Sequence, residues 1–89
     1  MGWTVSLTPA ANKQLDSLDQ PIRKRIVDFL YGRLAKLDEP RSIGHSLQGS
    51  QLGQFWRYRV GDYRILAKIE DDQLVILVVE LGHRREIYR

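Results

Sequence analysis

Arg57 and Arg59 stand two residues apart and Arg64 follows across Gly61-Asp62 in Phe55-Trp-Arg-Tyr-Arg-Val-Gly-Asp-Tyr-Arg64, and two more arginines stand together in the tail Gly82-His-Arg-Arg-Glu-Ile-Tyr-Arg89. If Gly61-Asp62 is a two-residue hairpin turn, Val60 faces Tyr63, Arg59 faces Arg64 and Arg57 faces Leu66. Side chains alternate along a strand, so Arg57, Arg59 and Arg64 share one face while Trp56, Tyr58, Val60, Tyr63, Ile65 and Ala67 take the other. Like charges placed directly opposite each other cost a few tenths to about 1 kcal/mol without a counter-ion. The competing explanation for any one of these residues is a solvated strand edge, with Arg59 paired to a carboxylate such as Asp62. Arg57, Arg59 and Arg64 taken together with Arg84 and Arg85 point instead to an anion. A guanidinium offers phosphate two parallel hydrogen bonds and keeps its charge at any working pH.

The elements that must carry this cluster can be traced along the chain. Trp3-Thr-Val-Ser-Leu7 alternates as a half-buried strand does. Thr8-Pro9 reads as an N-cap with proline in the first helical turn, opening a short helix over roughly residues 9–18. Asp19 and Pro21 repeat that signal. Ile22, Ile26, Phe29, Leu30, Leu34 and Leu37 then recur at helical spacing, with Arg23, Lys24, Asp28, Arg33 and Lys36 outward, and the helix must stop before Pro40. Residues 38–54, with Pro40, Gly44, Gly49 and Gly53, form a connecting segment. Asp71-Asp72 marks a second turn, and Leu74-Val-Ile-Leu-Val-Val79 is apolar on both sides, as a central strand beside Arg64 would be. Trp3 and Trp56 read as core anchors. The expected fold is α+β: an N-terminal strand, a two-helix hairpin and an antiparallel β-meander, with both helices on one sheet face.

Composition sets the limits. Eighty-nine residues with 43% hydrophobic content support one modest core, hence a single domain over residues 1–89. The net charge of +3 favours polyanionic partners only mildly. Residues 1–50 carry seven basic and five acidic side chains and residues 51–89 carry seven and six, so the cluster is local and not a basic tail. There is no cysteine, and His45 and His83 lie too far apart to suggest a metal by spacing. The N-terminus has no signal-peptide pattern and the longest apolar run is far short of a membrane span, so a cytoplasmic protein without metal or cofactor is expected.

The strand, the helix hairpin, Leu47-Gln-Gly49, Trp56-Arg-Tyr-Arg-Val-Gly-Asp-Tyr-Arg64, the apolar strand and Gly82-His-Arg-Arg-Glu-Ile-Tyr88 together resemble the RelE/ParE superfamily of bacterial toxins over nearly the whole chain. Within it the sequence looks like the RelE branch. That resemblance implies a ribosome-dependent endoribonuclease that cuts mRNA in the ribosomal A site by attack of a 2′-hydroxyl, and a co-expressed antitoxin that silences it. The ParE branch shares the fold and poisons DNA gyrase. A non-catalytic RNA-binding module is a third possibility for the same charge pattern.

By position in the family's motif, Arg64 and Arg84 resemble its catalytic arginines, with Arg84 beside the leaving group. Tyr88 matches a tail tyrosine that stacks on a base or assists proton transfer. Arg57, Arg59 and Arg85 would bind RNA phosphates. The sequence departs from the family at the general base, because Arg57 and Arg59 stand where lysines are usual and a guanidinium cannot accept a proton. Tyr88 or His83 could take that role, His83 because its ordinary pKa of about 6.5 suits proton exchange. Arg23-Lys24-Arg25 is a solvated helix face with a weaker claim to RNA contact.

Overall fold

The computed structural model describes residues 2–47 and 55–87. It builds a five-stranded sheet of order β1-β5-β4-β3-β2 from β1 (Thr4–Leu7), β2 (His45–Ser46), β3 (Phe55–Val60), β4 (Tyr63–Glu70) and β5 (Val75–His83). The helices are α1 (Pro9–Asp16), α2 (Gln20–Gly32) and α3 (Arg84–Ile87). The meander β3–β4–β5 is antiparallel with the expected register, Val60 opposite Tyr63 and Arg59 opposite Arg64. β1 adds a parallel edge beside β5. Among the described residues no helix is long and apolar enough to cross a membrane.

Local chemistry accounts for most element boundaries. Thr8 caps α1, its Oγ1 accepting from the amide of Ala11 at 3.1 Å, with Pro9 in the first turn where its missing N–H costs nothing. The second helix stops at Gly32, five residues short of Leu37; Arg33 leaves helical geometry and Leu34–Lys36 continues as a 3-10 turn. Leu34 is fully buried. The apolar spacing runs on through this turn, which is why periodicity alone extends the helix, whereas the glycine breaks it. The segment read as a plain connection also contains β2, whose His45 and Ser46 pair with Arg57 and Trp56.

The core lies between the helices and one sheet face. Ile26 and Leu30 of α2 meet Tyr58, Ile65, Ala67, Ile76, Val78 and Leu81 there, with Val5, Ala11 and Leu15 at the α1 side. Tyr58, Ile65 and Ala67 are the residues the alternation directs inward. Tyr58 joins several elements: its hydroxyl donates to the Pro40 carbonyl at 2.8 Å and its ring tilts against Phe29 with centroids 5.9 Å apart. Gly44, at φ +92°, lies so close over that ring that a Cβ would fall 2.7 Å from it. Any larger residue there would be strained and would clash.

β5 is not a regular strand. Between Leu66 and Ala67 of β4 the register shifts, so Ala67 pairs with Val78 while Leu66 pairs with Glu80, leaving Val79 as an extra residue. Beyond Leu7 no strand flanks β5 on the side away from β4, and α1 with its cap supplies the missing partners. The Thr8 hydroxyl donates to the Val79 carbonyl at 3.3 Å, and Gln14 Oε1 accepts from the Leu81 amide at 2.9 Å.

Burial pushes the Tyr58 phenol up to about 12, because the charged form would lose its hydration. A raised folded-state pKa means stability that is fully present below the ordinary value of 10.0 and lost as pH rises toward 12. Tyr58→Phe should therefore cost about 1 kcal/mol at neutral pH, by orphaning the Pro40 carbonyl, yet lose less further stability than the wild type between those pH values. Denaturant melts of both proteins across that range check this; parallel curves would contradict it.

A candidate phosphate-binding site on the helix-free sheet face

The face of the sheet turned away from α1 and α2 carries two cross-strand rows that matter for chemistry. Arg59, Arg64 and Gly82 form one, nearest the hairpin turn; His45, Arg57, Leu66 and Glu80 form the next. The turn sets them. Gly61 has φ +60° and Asp62 is not among the described residues with positive φ, as in a type II′ hairpin turn with glycine first. Val60 and Tyr63, which flank it, are then a hydrogen-bonded pair, and Arg59 and Arg64 fall at the next, non-hydrogen-bonded position where opposite side chains come closest. Arg59 is exposed, Arg57 half-buried and Arg64 buried at 6% exposure.

A buried guanidinium needs acceptors. Arg64 Nη1 donates to the carbonyls of Gly61 and Tyr63, both at 3.1 Å, which directs its head toward the turn. The same turn receives the tail: the Arg84 amide donates to the Asp62 carbonyl at 2.9 Å, fixing the start of α3, which packs on β4 and β5. On the other side of Gly61 lies Arg25 of α2, close enough that a Cβ on the glycine would meet its Nη2 at 3.2 Å. One hairpin thus gathers Arg25, Arg64 and the backbone of Arg84. Arg84 and Arg85 themselves are exposed.

His83 does not join the arginine rows. It pairs with Tyr63, on the opposite parity from Arg64 and Gly82, and its ring sits edge-on to Tyr63 at 5.5 Å and 82°. Its Nδ1 accepts from the Arg85 amide at 3.2 Å, so the imidazole caps the first turn of α3. A proton on the neutral ring then resides on Nε2. Tyr88 lies outside the described residues, as do residues 48–54, which include part of the Leu47-Gln-Gly49 motif.

Among the described residues the salt bridges join Lys24 to Asp28, Arg41 to Glu39 and Asp71, and Lys68 to Glu70. Arg59, Arg84 and Arg85 take part in none of them, and neither does Asp62, the carboxylate best placed by sequence to neutralise Arg59. Arg41 is a different kind of arginine. It grips Asp71 with two bonds of 3.0 and 2.7 Å, and its guanidinium holds that exposed carboxyl below its ordinary range. One cleft, about 380 Å³, lies at this end beside Arg41, Trp56 and Lys68, whose cations are already matched by Asp71, Glu39 and Glu70. A smaller one, about 160 Å³, opens beside Arg59 with Phe29, Arg33 and His45 in its lining. The size of a cavity is therefore a poor guide here, and uncompensated charge a better one.

Sequence reasoning gives Arg25 only a weak claim to RNA contact and passes over Glu80. Arg25 belongs to a run of cations on a helix face, and only the tertiary approach of α2 to the turn distinguishes it from Arg23 and Lys24. Glu80 directly follows the apolar run Leu74–Val79, and only the bulge decides its face.

Residues 5–88 match the family described as the ParE toxin of the type II toxin-antitoxin system, parDE. Toxin RelG of Mycobacterium tuberculosis is 34% identical over 89 residues, covering 100% of this chain and 99% of that protein. Toxin RelE of the same organism is 29% identical over 87 residues, covering 98% and 87%. The toxin–antitoxin complex RelBE2 from M. tuberculosis has a chain that superposes with a TM-score of 0.85 at 30% identity, covering 94% of this chain and 93% of that one. The isolated E. coli RelE toxin, at 17% identity and a TM-score of 0.71 over 91% and 83% of the two chains, shares the fold. The sequence match over almost the full length and the close superposition lead to one conclusion: this chain belongs to the RelE/ParE superfamily and is a toxin of a type II toxin–antitoxin system.

Proposed function

We propose that the toxin is a ribosome-dependent endoribonuclease that cleaves mRNA in the A site. The observation that carries this reading is the Arg59–Arg64 pair, two like charges set opposite each other with Arg57 in the neighbouring row and Arg84 tethered to the same turn. In the cleavage step the 2′-oxygen bonds to phosphorus and the bond from phosphorus to the 5′-oxygen breaks, giving a 2′,3′-cyclic phosphate and a 5′-hydroxyl. The nucleophile comes from the RNA itself, so the step calls for neither metal nor cofactor. Arg64, already oriented by two backbone carbonyls, stabilises the extra negative charge on the phosphorane, and Arg84 does so near the leaving oxygen. Arg57, Arg59 and Arg85 hold flanking phosphates, and Tyr88 stacks on a base. His83 contributes by capping α3 and so aiming Arg84 and Arg85.

The partners follow from the same charges. The ribosome supplies orientation, which alone is worth ~7 kcal/mol or more in favourable cases. An acidic antitoxin segment would cover the arginine face when the toxin is silent; the RelBE2 relative is itself described as a toxin–antitoxin complex. Such a toxin works in the cytoplasm. A second reading, poisoning of DNA gyrase, draws support from the match to the ParE family and from arginines at 57 and 59 in place of lysines.

Purified toxin added to translating ribosomes should produce A-site cuts detectable by toeprinting, and Arg64→Ala or Arg84→Ala should lower the cleavage rate by roughly a hundredfold or more. Undiminished cutting by the double variant would remove the site assignment, and gyrase–DNA cleavage complexes with intact mRNA would favour the second reading. Arg59→Gln should raise the melting stability of the free toxin by a few tenths to about 1 kcal/mol while weakening RNA binding, and the gain should shrink with added salt. A loss of stability in that variant would mean Arg59 already has a counter-ion.

A further inference from the structure

We propose that Glu80 is the general base of the reaction, the carboxylate that takes the proton from the attacking 2′-hydroxyl; this rests on the ribonuclease reading above. The case begins with strand parity. Ile76 and Val78 are buried toward the helices, so regular alternation would send Glu80 into the same core and turn Leu81 outward. The extra residue at Val79 reverses this: Leu81 enters the core opposite Ile65, and Glu80 emerges opposite Leu66 on the arginine face. Bulges redirect side chains in this way at the cost of broken ladder bonds. Here the loose ends on the outer side of β5 are taken up by the Thr8 hydroxyl on the Val79 carbonyl and by Gln14 Oε1 on the Leu81 amide. Two side chains of another element are thus committed to holding Glu80 on that face.

The position suits the task. Glu80 shares a row with Arg57 and is the diagonal neighbour of Arg64 across β4–β5, a placement within reach of long side chains. Gly82, directly opposite Arg64, brings no side chain to this surface. The Arg64 head turns toward the hairpin, so a phosphodiester spanning from Arg64 to Arg57 would lay its ribose over Leu66, beside the Glu80 carboxylate. The other candidates are poorer: guanidiniums accept no proton, and His83 is on the other parity with Nδ1 engaged. Glu80 takes part in none of the salt bridges among the described residues. The proton balance is simple. Glu80 accepts the 2′-hydroxyl proton as the O2′–P bond forms, the P–O5′ bond breaks, the 5′-oxygen takes a proton from water, and Glu80 returns its own to solvent.

Among the described residues, the charged groups on the elements around Glu80 are Arg57 and Arg59 of β3, Arg64 and Lys68 of β4 with Glu70 on Lys68, His45 of β2, and Arg84 and Arg85 of α3; β1 offers only Thr4 and Ser6 to this face. His45 is the one imidazole among the described residues of this face, so it is the control. Single-turnover cleavage of mRNA on programmed ribosomes should be measured against pH for the wild type, Glu80→Gln, Glu80→Asp and His45→Gln, with ribosome affinity measured in parallel. Glu80→Gln should cut 10²- to 10⁴-fold more slowly with affinity unchanged or higher, and should lose the limb in which rate climbs as a carboxylate deprotonates. Glu80→Asp should recover part of the rate and keep the limb, as should His45→Gln. Wild-type rate and an unchanged limb in Glu80→Gln would overturn the proposal and leave Glu80 a counter-ion for the arginines. Equal losses of rate and affinity would overturn it in favour of a purely positioning role. A wild-type toxin that leaves mRNA intact would overturn the ribonuclease reading itself.

Discussion

The constraint on which the site depends is the repulsion between Arg59 and Arg64, held face to face by a hairpin turn that permits no other register. Gly61 at positive φ makes the two-residue turn possible, and that turn places the two guanidinium-bearing residues at the pair where side chains approach most closely. A one-residue slip would drive both arginines into the core and expel Tyr58 and Ile65, so the hydrophobic face enforces the electrostatic cost on the other. The molecule relieves part of that cost locally, through the two carbonyls that accept from Arg64.

Other parts of the fold can be understood as supports for this arrangement. The tail reaches the turn through the Arg84 amide, α2 reaches it through Arg25, and α1 holds open the bulge that sends Glu80 to the arginine face. At the far end of the sheet the same residue type does ordinary structural work, as Arg41 clamps Asp71 and so ties the segment after α2 to the β4–β5 turn. Arg41, matched by two carboxylates, contrasts with Arg59, which joins no salt bridge among the described residues.

Much of this was legible in the sequence, and the limits have physical causes. The β3–β4 register follows from Gly61-Asp62 and strict alternation, both local signals, and Thr8-Pro9 announces α1 in the same way. The end of α2 was misplaced because Leu34 and Leu37 keep the apolar spacing after Gly32 has broken the helix. β2 was unreadable because His45 and Ser46 have no strand signature and are held by pairing with β3, under a glycine that fits over Tyr58. The β1–β5 pairing and the Val79 bulge are tertiary outcomes, and with them went the face of Glu80. His83 stands out in the sequence because an imidazole suits acid–base exchange, while its parity and its cap on α3 are tertiary features that no local pattern carries.

The central claim is that guanidiniums from separate elements converge on a single phosphodiester. It is tested most directly by titrating the free toxin with a non-cleavable 2′-deoxy dinucleotide while following the arginine side-chain Nε–H resonances by NMR. Convergence predicts that Arg59, Arg64 and Arg84 shift together along one binding curve that weakens steeply with salt, while Arg41 stays still. Shifts spread over Arg23, Arg33 and Arg41, or following separate curves, would contradict it.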